Sequence, residues 1–343
     1  MGLDPLRQLP GRKASIILRF LKSFSFLIGL ALFALILTRL NLRASWEVLK
    51  TVNPRWFLPA FLFAAPEIFF KAMRLKSFAT RASTHLSLKD AVWVFLSGQP
   101  LAAVTPGKLG DVSRIVLLSR LCRLSMPSAL AVHAADRIYD LVAVLLLSLV
   151  GFLSFMGWGQ QQGPALAAIL GMFAGMLLIL VLINPRWMKH LLRPLATGLL
   201  SKKMAEQLSH HGREFYDKLQ ALLIPSFRIF GPFVLSFLAW ETAILRAYFC
   251  AMALGLPLSF VKFALLAPIM IMVELLPISI MGFGTRETTM FLLFTSNQLP
   301  KESLLAFSLL IVIAGPLFVS LVGVPATTQL LSPLKKNHEK TEL

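Results

Sequence analysis

The chain has 343 residues, 57% of them hydrophobic and only 15% charged, where a typical soluble domain carries about 25% charged residues. With a mean hydropathy of +0.74, this excludes an ordinary soluble fold and points to an all-α polytopic membrane protein whose spans are apolar runs of roughly 17 to 25 residues. The formal net charge of +18 reads as basic loops held against anionic lipid rather than as a nucleic-acid footprint, and Cys122 and Cys250 are too few for a disulfide framework and read as small core residues.

In chain order, residues 15–38 form a first apolar segment preceded by Arg7, Arg12 and Lys13, too long for a signal-peptide core and without an Ala-x-Ala-like cleavage site. It is expected to span with a cytoplasmic N-terminus. A second segment, about 56–73, precedes Lys71, Arg74, Lys76, Arg81 and Lys89, read together as a cytoplasmic loop. Segments 129–157 and 165–184 are joined by the uncharged linker "GWGQQQGP", placed outside. The basic loop 185–228 is placed inside, and its 191–223 stretch has helical apolar spacing. It fits either a helix lying on the cytoplasmic surface or a short soluble hairpin. The segments 229–254, 259–281, 284–298 and 303–326 follow, and the tail with Lys335 and Lys336 is expected to be cytoplasmic.

Two apolar runs are broken. Residues 88–104 lead into "TPGKLGDVSR", yet Arg114, Arg120 and Arg123 beyond it still carry a cytoplasmic signature. A segment that enters, turns at Pro106-Gly107 and returns satisfies both ends. Between 259 and 298 the stretch "ELLPISIMGFGTRE" gives a similar break entered from the other side. The expectation is about six full spans plus two oppositely oriented re-entrant hairpins, about eight membrane segments in all. Such a pattern suggests an inverted repeat, although no residue-by-residue match between the halves accompanies it. The whole of 1–343 reads as one integral membrane domain, with an N-terminal half 15–184, a basic linker 185–228, a C-terminal half 229–326 and a tail 327–343.

Ionisable residues at bilayer depth are costly and raise a functional hypothesis by default. Lys108, Asp111 and Arg114 recur at three-residue spacing after the Pro106-Gly107 break. There, freed backbone N–H groups and two cations would suit a phosphate, or the stretch is an interfacial turn with snorkelling side chains. Asp136, Arg137 and Asp140 crowd the start of a long apolar helix and are read as facing the interior. Glu241 and Arg246 lie deeper, and Glu274 is similarly isolated. Gly282 and Gly284 allow a bend before Arg286 and Glu287, repeating the order of break, glycine and base beside acid. His133, His210 and His211 do not converge with acids at metal-ligand spacing, no metal or other cofactor is expected, and no nucleotide-binding loop or nucleophile with its base is visible.

With these residues in view, the chain resembles the flippase-like membrane region of the lysylphosphatidylglycerol synthase superfamily, also called the UPF0104 family, over roughly 15–326. Thr105, Pro106, Gly107, Gly110 and Arg114 resemble its Thr-Pro-Gly-x-x-Gly-Glu-x-x-Arg motif, with Asp111 standing where glutamate is more usual. Asp136, Arg137, Tyr139 and Asp140 resemble a second motif, and Pro277, Ile278, Ser279, Gly282, Gly284, Arg286 and Glu287 a third. The resemblance implies transfer of a phospholipid between leaflets, with aminoacyl transfer belonging to a separate soluble domain that is not expected in this chain. Relatives near polyprenyl-lipid, glycolipid or hopanoid pathways leave the headgroup open.

The reading is therefore a lipid translocator of a bacterial or archaeal inner membrane rather than an enzyme. Lys108, Arg114, Arg137, Arg246 and Arg286 are its candidate phosphate ligands, and Asp111, Asp136, Asp140, Glu241, Glu274 and Glu287 its charge-balancing groups. Thr105, Pro106, Gly107, Gly110, Pro277, Gly282 and Gly284 form the backbone turns. Anionic or polyprenyl-linked membrane lipids and an envelope-lipid biosynthetic enzyme are the expected partners, without nucleic acid. An integral membrane enzyme of lipid-headgroup chemistry, or a scaffold subunit for one, is the alternative.

Overall fold

The computed structural model describes residues 42–104, 110–157, 174, 202–223, 230–275, 282–294 and 299–331. The expected span at 15–38, that at 165–184 apart from residue 174, the tail beyond 331, and Thr105, Pro106, Gly107, Lys108 and Pro277 lie outside them; the expected tail start, 327–331, is the end of the last helix.

Every described regular element is helical: α1 Leu42–Lys50, α2 Pro54–Leu62, α3 Ala64–Arg81, α4 Leu88–Ser97, α5 Gln99–Val104, α6 Asp111–Cys122, α7 Met126–Gly157, α8 Lys202–Leu223, α9 Phe230–Ala253, α10 Phe260–Glu274, α11 Thr285–Phe294, α12 Lys301–Val312 and α13 Phe318–Leu331, the last two joined by a π-helical turn, Ile313–Leu317. Four helical stretches are long and apolar enough to cross a membrane: 54–81, 126–154, 230–253 and 301–328. The protein is thus an all-α polytopic membrane protein with at least four such spans.

Local chemistry sets several boundaries. Asn53 caps α2 by accepting a hydrogen bond from the Arg55 N–H at 3.0 Å, with Pro54 at the first helical position. Ser87 caps α4 by accepting from the Asp90 N–H at 3.1 Å. Helix α6 stops at Arg123, which takes the left-handed conformation with φ 53°.

The elements pack by close approach at small residues. A Cβ on Gly151 of α7 would fall 1.9 Å from the Leu265 carbonyl oxygen of α10, and nearby Ser148 Oγ donates to the Pro268 carbonyl at 2.8 Å. The last span lies along α4 and α5: Ser320 Oγ donates to the Gln99 carbonyl at 3.1 Å and Thr327 Oγ1 to the Ser97 carbonyl at 2.9 Å. Leu219 and Leu222 of α8 are buried in a cluster with Phe78 of α3 and Val132 of α7, and Lys218 donates to the Ala82 carbonyl at 2.9 Å. The described part of the basic linker is therefore a helix docked on the ends of two spans. Cys250 is buried and Cys122 half-buried.

One sequence expectation needs correction. Lys71, Arg74, Lys76 and Arg81 are not loop residues, because helix α3 continues to Arg81, and Lys89 lies in the first turn of α4; the side chains of Lys71 and Arg74 turn into the protein. Each has a carboxylate to meet there, which offsets part of the cost of burying its charge.

Candidate functional site

A cavity of ≈ 390 Å³ lies among α3, α4, α5, α6, α7, α9, α10, α11 and the π turn. Five cations reach its wall, Lys71, Arg114, Arg137, Arg246 and Arg286, along with four carboxylates, Glu67, Asp111, Asp140 and Glu274. Glu67 and Asp140 sit near the middle of their membrane-length stretches, 54–81 and 126–154. A lone Asp, Lys or Arg at a helix centre costs about 2.5 to 3.5 kcal/mol on insertion scales, so the pairing of these groups decides whether the fold tolerates them.

The first charge cluster joins α3, α6, α7 and α9. Arg74, 1% exposed, donates through Nε to Asp136 Oδ1 at 2.7 Å and through Nη1 to Asp140 Oδ1 at 2.7 Å and Ser236 Oγ at 2.8 Å. It stands behind the cavity wall and fixes both acids of α7. Arg137 reaches Asp140 Oδ2 at 3.4 Å and Asp111 Oδ1 at 3.3 Å, longer contacts than those of Arg74. Its buried Nε has no hydrogen-bond partner among the described residues. Arg114 pairs with Asp111 Oδ1 at 3.1 Å, donates through Nε to the Phe95 carbonyl at 3.1 Å and lies over the Phe95 ring at 4.6 Å. His133 Nε2 lies 3.3 Å from Asp111 Oδ2.

The second cluster joins α3 and α9. Glu67 is shared: Lys71 Nζ binds Oε1 at 2.7 Å, and Arg246 binds Oε2. The Lys71 ammonium lies 4.5 Å from the Trp240 ring centroid and 5.9 Å from that of Phe95, an arrangement in which ring quadrupoles favour the cation. Trp240 in turn donates Nε1–H to the Asp140 carbonyl at 3.3 Å, tying the two clusters together.

The third pair is Arg286 with Glu274, 3.7 Å apart. Gly282 and Gly284 take φ 81° and 86°, a region that L side chains rarely adopt. A Cβ on Gly282 would also fall 2.6 Å from Glu274 and 2.7 Å from Arg286. A glycine likewise abuts Arg114, where a Cβ on Gly98 would meet Nε at 2.6 Å, and Arg246, where a Cβ on Gly315 would meet Nη2 at 3.0 Å. Three of the four cavity arginines are thus seated against backbone that carries no side chain.

Of the residues singled out from sequence, Asp111, Arg114, Arg137, Asp140, Arg246, Glu274, Gly282 and Arg286 meet at this cavity, with Asp136 directly behind. Gly110 lies at the start of α6, where its Cβ would collide with the Gly98 carbonyl oxygen. Two acids lie elsewhere. Glu287, fully buried, accepts the Gly284 N–H at 2.6 Å and the Ser308 hydroxyl, which makes it a cap for the start of α11. Glu241 is half-buried on α9 and does not line the cavity. Glu67, Lys71, Arg74 and Trp240 belong to the site but were not among the residues singled out. The available signal was Glu67 and Lys71 four residues apart inside an apolar run. Among the described residues, no group of three or more His, Cys, Asp or Glu side chains is placed to hold a metal.

With this geometry in hand, comparison with known proteins adds two findings. The profile of the family described as the lysylphosphatidylglycerol synthase TM region matches residues 23–323. The chain is also 22% identical over 308 residues to the UPF0104 membrane protein PH1989 of Pyrococcus horikoshii, a match covering 84% of this chain and 91% of that protein.

Proposed function

The chain belongs to the lysylphosphatidylglycerol synthase TM region family, and from that membership we propose that it moves a phospholipid or another phosphate-bearing envelope lipid between leaflets. The headgroup passes through the charged cavity while its tails stay in the bilayer. The observation that carries this reading is the cavity wall, where five cations face four carboxylates, two of them, Glu67 and Asp140, near the middle of membrane-length helices. Such a wall, already desolvated and preorganised, replaces the hydration that a phosphate loses on leaving water.

In this reading the arginines engage the phosphate, and Asp111, Asp136, Asp140 and Glu274 neutralise them when the cavity is empty. The helix pairs α4–α6 and α10–α11 are the two re-entrant hairpins, set in opposite senses between six full spans with both termini cytoplasmic. Movement is passive or coupled to an ion gradient.

The test is leaflet exchange of headgroup-varied fluorescent lipids in liposomes holding the purified chain. Arg286→Gln and Asp140→Asn should insert and fold but lose exchange. Exchange at the wild-type rate in a correctly inserted Arg286→Gln protein would remove the proposed role.

A further inference from the structure

Local charge balance differs between the clusters. Around α6 and α7, Arg74, Arg114 and Arg137 face Asp111, Asp136 and Asp140, one carboxylate for each guanidinium. Arg286 has Glu274. At α3 and α9, by contrast, Glu67 is the one carboxylate in ion-pair contact with both Lys71 and Arg246 among the described residues, while Asp140, already held by Arg74 and Arg137, acts on Lys71 only from beyond contact distance.

Hydrogen-bond capacity is left at this pair as well, as it is at the Nε of Arg137. An ammonium has three N–H donors and a guanidinium five. Among the described residues, Lys71 spends one on Glu67, and Arg246 makes its one recorded side-chain hydrogen bond to the same acid. Both side chains line the cavity. The wall beside Arg246 is Gly315, in the π turn, and π turns in otherwise regular helices are frequent at functional sites.

We propose that Lys71 and Arg246 form the anion subsite of the cavity, taking the phosphate of a lipid headgroup between them, with Glu67 as the resident carboxylate that it displaces. This rests on the translocator reading above and gives the phosphate its resting subsite at α3 and α9, with the arginines of the motif-bearing α6, α7 and α11 engaging it as it passes through the cavity. Because Glu67 is shared, removing either cation leaves it one partner, so single variants should fold.

The experiment is equilibrium binding of radiolabelled dihexanoyl phosphatidic acid, and separately of inorganic phosphate, to the detergent-solubilised full chain. Lys71→Gln and Arg246→Gln should each weaken phosphatidic acid binding by about ten- to a hundredfold, the range for a lost charge-assisted contact. Glu67→Gln should tighten it, since the competing acid is gone, an outcome that a purely structural role for Glu67 does not produce. Glu241→Gln, outside the cavity, should bind as wild type.

Loss of binding in Arg114→Gln with wild-type affinity in Lys71→Gln and Arg246→Gln would move the anion to α6 and overturn the assignment while leaving the cavity reading intact. Inorganic phosphate bound as tightly as phosphatidic acid, and lost in the same variants, would keep the subsite but overturn its lipid ligand. No binding of either probe to the wild-type chain would overturn the translocator reading together with the subsite.

Discussion

Replacing Arg74 by methionine tests whether the buried charges hold the spans together. The guanidinium makes three bonds of 2.7, 2.7 and 2.8 Å to Asp136, Asp140 and Ser236, from a side chain that is 1% exposed. Without it, Asp140 keeps only the 3.4 Å contact with Arg137, and Asp136 loses its ion pair. Breaking a buried pair from one side costs about 3 to 5 kcal/mol, because it leaves charge without compensation. That lowers the folded-to-unfolded ratio by about 150- to 5,000-fold. The assay is unfolding of the purified chain in mixed micelles against increasing denaturing detergent. Adding Asp136→Asn and Asp140→Asn to Arg74→Met should recover most of the loss, since the triple variant has no orphaned charge and Arg137 retains Asp111. An Arg74→Met protein as stable as wild type, or a triple variant no better than the single, would refute the argument.

Two further outcomes follow from packing. Gly98→Ala brings a Cβ to 2.6 Å from Arg114 Nε and 2.8 Å from the Gly110 carbonyl oxygen; the side chain can yield but the backbone cannot, so a loss of about 1 to 3 kcal/mol is expected, read by thermal unfolding. Gly212→Ala, where an added Cβ meets nothing, serves as its neutral or mildly stabilising counterpart. Leu219→Ala removes a side chain that is 1% exposed between α8, α3 and α7 and should cost about 2 to 5 kcal/mol, with faster amide hydrogen exchange confined to 202–223 if α8 detaches before the spans unfold.

The sequence conveys the class of this fold well, because apolar length is a one-dimensional property. Helices at 126–157, 230–253 and 260–274 fall close to the runs expected for them. The interior placement of Asp136 and Asp140 was also legible, since three charges in so short a helical stretch have few other places to go. Partner identity was not. Arg74 lies 62 and 66 residues from its two acids, and Arg246 lies 179 residues from Glu67. A hydropathy window counts such an arginine as the end of a span when its charge is cancelled from another helix. Glu287 shows the converse limit: a carboxylate beside an arginine after a glycine break reads as a ligand group, yet its oxygens satisfy the first turn of its own helix and a serine across from it.

The π turn at 313–317 has a consequence for the phase of the last span. Such a turn accommodates one extra residue within a helix, and each residue advances the helical face by about 100°. Leu305, Phe307 and Leu310 before it and Val319, Ser320 and Ala326 after it are all buried, so the slip lets two stripes of different pitch both face inward. Winding the same residues as an unbroken α-helix would rotate everything beyond the turn by about 100°, carrying Ser320 and Thr327 away from the Gln99 and Ser97 carbonyls, whereas deleting one residue within 313–317 should remove the bulge and keep that phase. The bulge is the spacer that keeps the end of the last helix in register with α4 and α5.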